Sequence, residues 1–70
     1  MELNMYTFTE LFKDKFKYSY AEAGRQLNVS PAQLYRIMNN KGKAGALFFG
    51  KLHTYCNKHQ LNFEKYIIIT

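Results

Sequence analysis

The chain has 70 residues, 47% of them hydrophobic and including six Tyr and six Phe, and carries a net charge of +5 from ten Lys plus Arg against five Asp plus Glu. That length leaves room for one small domain over residues 1–70, with an apolar core that must be densely used. No apolar run reaches half of the roughly 20 residues that a membrane span needs, and the start MELNMYTF lacks the basic and apolar regions of a secretion signal. Cys56 is the single cysteine, so an internal disulfide is impossible and a reducing, cytoplasmic setting is expected. The basic balance favours a polyanionic partner.

Three S/T-x-x-E/Q patterns divide the chain into helices: Thr7 with Glu10, Ser19 with Glu22, and Ser30 with Gln33. In such a capping box each side chain satisfies a backbone N–H that the first helical turn leaves unpaired. The first predicted helix runs from about Phe8 to Lys17, with Phe8, Leu11, Phe12 and Phe16 on one stripe. Glu10, Lys13, Asp14 and Lys17 take its wet side, and Lys15 sits at the edge of the apolar arc. The second, Tyr20 to about Leu27, buries Ala23, Gly24 and Leu27, whose small members admit another helix closely.

Only Asn28-Val29 separates this helix from Ser30, and asparagine tolerates the left-handed conformation that so tight a turn requires. Pro31 follows at the first position of the third helix, where its missing N–H costs nothing. That helix is expected to end near Asn40. A fourth, roughly Ala44 to Lys58, turns Ala44, Phe48, Leu52, Tyr55 and Cys56 inward, with Gly45 and Gly50 lowering its propensity. Asn62 can cap a short fifth helix over Phe63 to about Ile67, burying Leu61, Phe63, Tyr66 and Ile67. The β-branched Ile67-Ile68-Ile69 fits a terminal strand as well as a helix end or a loose tail. The expected fold class is all-α with five helices.

The third helix carries the functional question. With Leu34 at the centre of its buried face, Ile37 and Met38 fall beside it. Ala32, Arg36 and Asn39 fall opposite, flanked by Gln33, Tyr35 and Asn40. This outer face holds no acid, and its groups suit base edges: arginine pairs bidentately with guanine, asparagine or glutamine with adenine, and alanine can touch a thymine methyl. Ala32, Gln33, Arg36 and Asn39 are therefore the candidate base contacts. Tyr20, Ser30, Tyr35, Asn40, Lys41 and Lys43 are the candidate phosphate contacts, the two lysines flanking Gly42 ahead of the fourth helix.

Ala23-Gly24, Leu27, Asn28-Val29, Leu34 and Ile37 stand where the Cro and phage-repressor (lambda-repressor-like) helix-turn-helix family has its small pair, turn and core positions. The stretch YCNKHQLNFEKYI resembles that family's end of the fourth helix, turn and capped fifth helix, so the resemblance spans about residues 8 to 68. It implies a five-helix DNA-binding transcription regulator, phage- or mobile-element-derived. Such a protein is often a homodimer, at least on DNA, and reads a pseudo-palindromic double-stranded operator. The chain departs from the pattern at several places. Gly24 replaces a preferred alanine, Asn28 a glycine, Tyr20 a phosphate-binding glutamine, and Pro31 a polar base-contacting residue. His59 and Gln60 stand for a core leucine and a capping glycine.

The same residues also admit other readings. The outer face of the third helix could be merely solvated, or the fold could serve as a protein-binding module acting on a host or phage protein. His53, Cys56 and His59 are three apart, but the histidines are about 120° apart around the helix, which disfavours shared metal ligation. The aromatics fall on core stripes rather than on a stacking platform for single strands. Leu47, Phe49, Ile68 and Ile69 lie at the edges of the expected core and are candidates for a dimer contact. No carboxylate pair, activated nucleophile or phosphate-cradling loop points to catalysis, and no cofactor, metal or small-molecule substrate is expected.

Overall fold

A computed structural model describes residues 1–69. In chain order the elements are strand β1 (Glu2–Leu3), helices α1 (Met5–Phe16), α2 (Tyr20–Leu27), α3 (Pro31–Met38) and α4 (Ala46–Lys58), a 3₁₀ turn (Phe63–Tyr66) and strand β2 (Ile67–Ile68). The fifth helix expected from sequence is thus a single 3₁₀ turn, and Ile67–Ile68 after it form a strand, while Thr70, part of the expected tail, lies outside the described residues. Asn62 caps that turn, its side chain accepting from the Glu64 N–H.

The strands pair antiparallel, Glu2 opposite Ile68 and Leu3 opposite Ile67. The Asn4 N–H extends this pairing by donating to the Tyr66 carbonyl over 2.8 Å. Asn4, rather than Thr7, is then the N-cap of α1: its Oδ1 accepts from the N–H groups of Tyr6 and Thr7. The Thr7–Glu10 capping box is therefore a correction. Thr7 already lies inside the helix, and its hydroxyl donates to the carbonyls of Asn4 and Lys65. One extra turn of α1 is gained because the ribbon delivers the chain to Asn4 in extended conformation.

The core follows the sequence stripes closely. Phe8, Leu11, Phe12 and Phe16 of α1, Ala23 and Leu27 of α2, Leu34 and Ile37 of α3, and Phe48, Leu52, Tyr55 and Cys56 of α4 are buried. Phe8 meets Phe48 edge-on at 5.7 Å between ring centroids, and Phe16 lies against Tyr55 at 5.4 Å. These contacts join α1 to α4 with the geometry that aromatic quadrupoles favour. Phe49, expected at a dimer contact, is only 8% exposed and belongs to this core. Its ring packs edge-on to Phe48, so it cannot serve an outer interface. Ala44 is half-buried but precedes α4 rather than opening it.

Among the described residues, no helix is long and apolar enough to cross a membrane.

Candidate nucleic-acid interface

The connection between α2 and α3 is built from three local devices. Ser19 caps α2 by accepting the Glu22 N–H, and Ser30 caps α3 by accepting the Gln33 N–H, which is the serine half of each predicted capping box. The Ser19 N–H goes instead to the Phe16 carbonyl, and the Glu22 side chain to Gln26 and Arg25. Asn28 adopts the left-handed conformation at φ 62°, turning the chain within two residues. The Val29 N–H then donates to the Gly24 carbonyl at 3.0 Å, and Val29 tucks into the core. Lys51 of α4 closes the turn from below, its Nζ donating to the Asn28 carbonyl at 2.7 Å. Cations near a helix C-terminus interact favourably with the partial negative charge there.

Gly24 is what lets this turn be so close. A Cβ at that position would lie 2.5 Å from the Val29 carbonyl oxygen and 3.3 Å from the Pro31 ring. An alanine would therefore collide with backbone rather than with a side chain that can move aside.

Helix α3 is held to the body by Leu34 and Ile37, with Met38 half-buried beside them. Each of the two fully buried side chains contributes about 1.5–3 kcal/mol to holding the helix in place. Its other face is open: Pro31, Ala32, Tyr35 and Arg36 are exposed, and Gln33 is half-buried. The helix ends at Met38, slightly before the expected Asn40. Asn39 is the C-cap and Asn40 takes the left-handed conformation at φ 60°. The Lys41 N–H then reaches back to the Arg36 carbonyl at 2.7 Å, the Asn40 N–H to the Ile37 carbonyl at 3.3 Å. These two bonds form a Schellman closure, which fixes where Lys41 starts.

Around this end the side chains form a connected tier. The Tyr20 ring lies between Phe12 at 5.1 Å and Tyr35 at 5.7 Å. Lys41 Nζ sits over the Tyr35 ring, 5.8 Å from its centroid. Asn39 Nδ2 donates to the Tyr35 carbonyl at 2.9 Å and to Tyr20 Oη at 3.3 Å. The predicted residues Tyr20, Tyr35, Asn39 and Lys41 are thus brought together. Asn39, however, is turned back onto the protein rather than standing out from a helix. Lys43 is exposed, and Gly45, the N-cap of α4, makes no side-chain hydrogen bond to the first N–H groups of that helix.

The charges divide sharply along the chain. Residues 23–63 hold Arg25, Arg36, Lys41, Lys43, Lys51 and Lys58 and no acid at all. All five carboxylates lie outside that stretch, on Glu2, Glu10, Asp14, Glu22 and Glu64. Glu22, on α2, is engaged by Gln26 Nε2 at 2.6 Å and by Arg25. Those contacts hold its carboxyl below the ordinary range, the Gln26 hydrogen bond contributing most. Arg25 is thereby drawn into an ion pair on α2, whereas Arg36 forms no ion pair among the described residues.

The remaining candidates fall elsewhere. Leu47 is 81% exposed and Ile69 76%, with Ile68 partly open on the outer strand. Cys56 is buried, and burial raises its thiol above the usual range, which suppresses the reactive thiolate. His53 instead packs on Phe63 at 4.9 Å, and His59 on Tyr55 at 4.2 Å. Among the described residues no three His, Cys, Asp or Glu side chains converge as a metal site would require.

No protein-family model matches the chain, and comparison with the curated proteins and with the solved structures gives no match either.

Proposed function

We propose that the chain is a sequence-specific, double-stranded DNA-binding transcription regulator of the Cro and phage-repressor type. In this reading α2 and α3 form its helix-turn-helix, the whole being a compact lambda-repressor-like domain, and α3 lies in the major groove. The observation that carries the reading is the outer face of α3. It is an exposed helical surface centred on Arg36, in a 23–63 stretch without a single carboxylate, with hydroxyl and lysine donors on both flanks. An α-helix with its side chains is about 10–12 Å across, which fits the roughly 12 Å width of the major groove.

Arg36 is the principal base-reading residue, with Ala32 and Gln33 beside it on the preceding turn. Ser30, Tyr20, Tyr35, Asn40, Lys41 and Lys43 lie along the rim where phosphates would run, and set register rather than sequence. Leu47, Ile68 and Ile69 are among the exposed apolar residues and offer a surface to a second copy, as a homodimer on a two-fold operator requires. A cytoplasmic setting and a phage or mobile-element source accompany the resemblance. Regulation follows from occupying a promoter, with no chemistry, cofactor or small-molecule substrate.

Selection of bound sites from a random duplex pool tests this directly. The expected result is an enriched motif, with affinity falling steeply as salt rises through counterion release. Absence of binding even at low salt would overturn it and leave the scaffold as a protein-binding module.

A further inference from the structure

Asn39 has two amide protons, and both are engaged inside the protein, one by the Tyr35 carbonyl and one by Tyr20 Oη. The orientation of the amide is set by chemistry, because a carbonyl oxygen only accepts and so must face Nδ2 rather than Oδ1. An asparagine reads adenine by donating and accepting together, and here its donors are already committed. The effect on Tyr20 is the more telling one. Its ring is wedged between Phe12 and Tyr35, so the hydroxyl has a fixed position at the seam between α2 and α3. The oxygen of that hydroxyl accepts from Asn39, and its proton has no acceptor on the chain among the described residues.

We infer that Asn39 is a positioning residue rather than a base contact: it orients the Tyr20 hydroxyl so that its proton points outward to a DNA phosphate. This rests on the DNA-binding reading of the same face and assigns a role within it. The amide holds the acceptor side of the phenol, leaving only the donor side for a ligand. A phosphate oxygen accepting that proton polarises the hydroxyl and strengthens the Asn39 bond in turn. One contact thereby clamps the front of α2 to the end of α3 when DNA is bound. Lys41, over the Tyr35 ring, supplies charge to the same rim.

The test is a double-mutant cycle with Tyr20→Phe and Asn39→Ala, using an operator found by site selection and a random duplex of equal length. Tyr20→Phe keeps the ring and its packing, so it removes the hydroxyl without threatening the fold. It should weaken binding to operator and random duplex alike by about tenfold, the worth of one hydrogen bond to a charged group. The salt dependence should be unchanged, because a neutral phenol releases no counterion. Asn39→Ala should give a similar loss, the double variant should lose little more than either alone, and the selected motif should stay the same.

A changed preference at one base pair in Asn39→Ala would overturn the inference and return Asn39 to base reading. Additive losses, or a Tyr20→Phe protein that binds both duplexes as tightly as wild type, would overturn it equally. A wild-type protein that binds neither duplex would instead remove the DNA-binding reading itself, a result distinct from all of these.

Discussion

Helices α1 and α3 obey the same amphipathic rule, yet their outer faces differ in kind. On α1, four large side chains face inward and Glu10, Lys13, Asp14 and Lys17 intermingle outside or just past its end, so that neighbouring charges cancel. On α3, only Leu34 and Ile37 are fully buried, and the exposed surface carries one cation and no anion. Alternating charge keeps a helix solvated and its field short-ranged, whereas a face of one sign presents a field to a polyanion. The contrast assigns anchoring to α1 and presentation to α3.

The anchoring side should give the largest effects. Phe8 is fully buried and meets Phe48 edge-on, so Phe8→Ala should cost about 3–5 kcal/mol. A core in a domain this small supplies roughly that much in total, and the variant should lose its cooperative thermal transition by circular dichroism. Retention of a sharp transition would show that α1 anchors less than its burial implies.

Gly24→Ala comes next, and it probes how α3 is presented. Alanine gains at most about 1 kcal/mol of helix propensity, while the collision with the Val29 carbonyl costs about 1–3 kcal/mol. Net destabilisation in urea unfolding is therefore expected, even though the resembling family prefers alanine at that position. A stabilised variant would mean that the α2–α3 turn relaxes easily and that the present spacing is not required.

Arg36→Ala separates presentation from anchoring. It should leave the unfolding midpoint almost unchanged but weaken operator binding by about 1–3 kcal/mol and relax preference at one base pair. Equal weakening on operator and random duplex would reduce Arg36 to a phosphate contact. Lys13→Ala on the outer face of α1 is the smallest of the set. Both its stability and its DNA affinity should shift by less than about 0.5 kcal/mol. A DNA effect as large as that of Arg36→Ala would erase the distinction between the two helices.

Much of the architecture is local and was therefore readable. Ser19, Ser30 and Asn62 each sit immediately before the helical residues whose N–H groups they accept, and the stripes of α1 and α4 mark the core directly. Asn28 in the left-handed region follows from the two-residue spacing of the turn. Gln60 does the same after α4, with φ 57°, where the resemblance marks a glycine position. What escaped local reading depends on distant partners. Asn4 outcompetes Thr7 as a cap because the first strand is held by residues more than sixty positions away, and no periodicity signals that. Phe49 is adjacent to a core residue on the helix wheel, and only the packing of α4 decides that it turns inward.

Within the candidate site, the outer arc of α3 was legible because a helix wheel fixes it. The orientation of Asn39 was not, since the wheel assumes a helix that has already ended at Met38. Gly24 was legible as a small residue, but the carbonyl that makes a methyl group too large belongs to the following turn.

The ribbon of β1 and β2 has a kinetic meaning. By pairing Leu3 with Ile67, and through Asn4 with Tyr66, it closes a loop that contains all four helices. Its strands are two residues long, so it opens readily, and when it opens the Asn4 cap loses the backbone that held it in place. The amide protons of the ribbon and the first turn of α1 should therefore exchange with solvent as one unit, at a lower protection than the middle of α1. Residues 2–4 and 66–68 would open together, while the aromatic contacts beneath them stay closed.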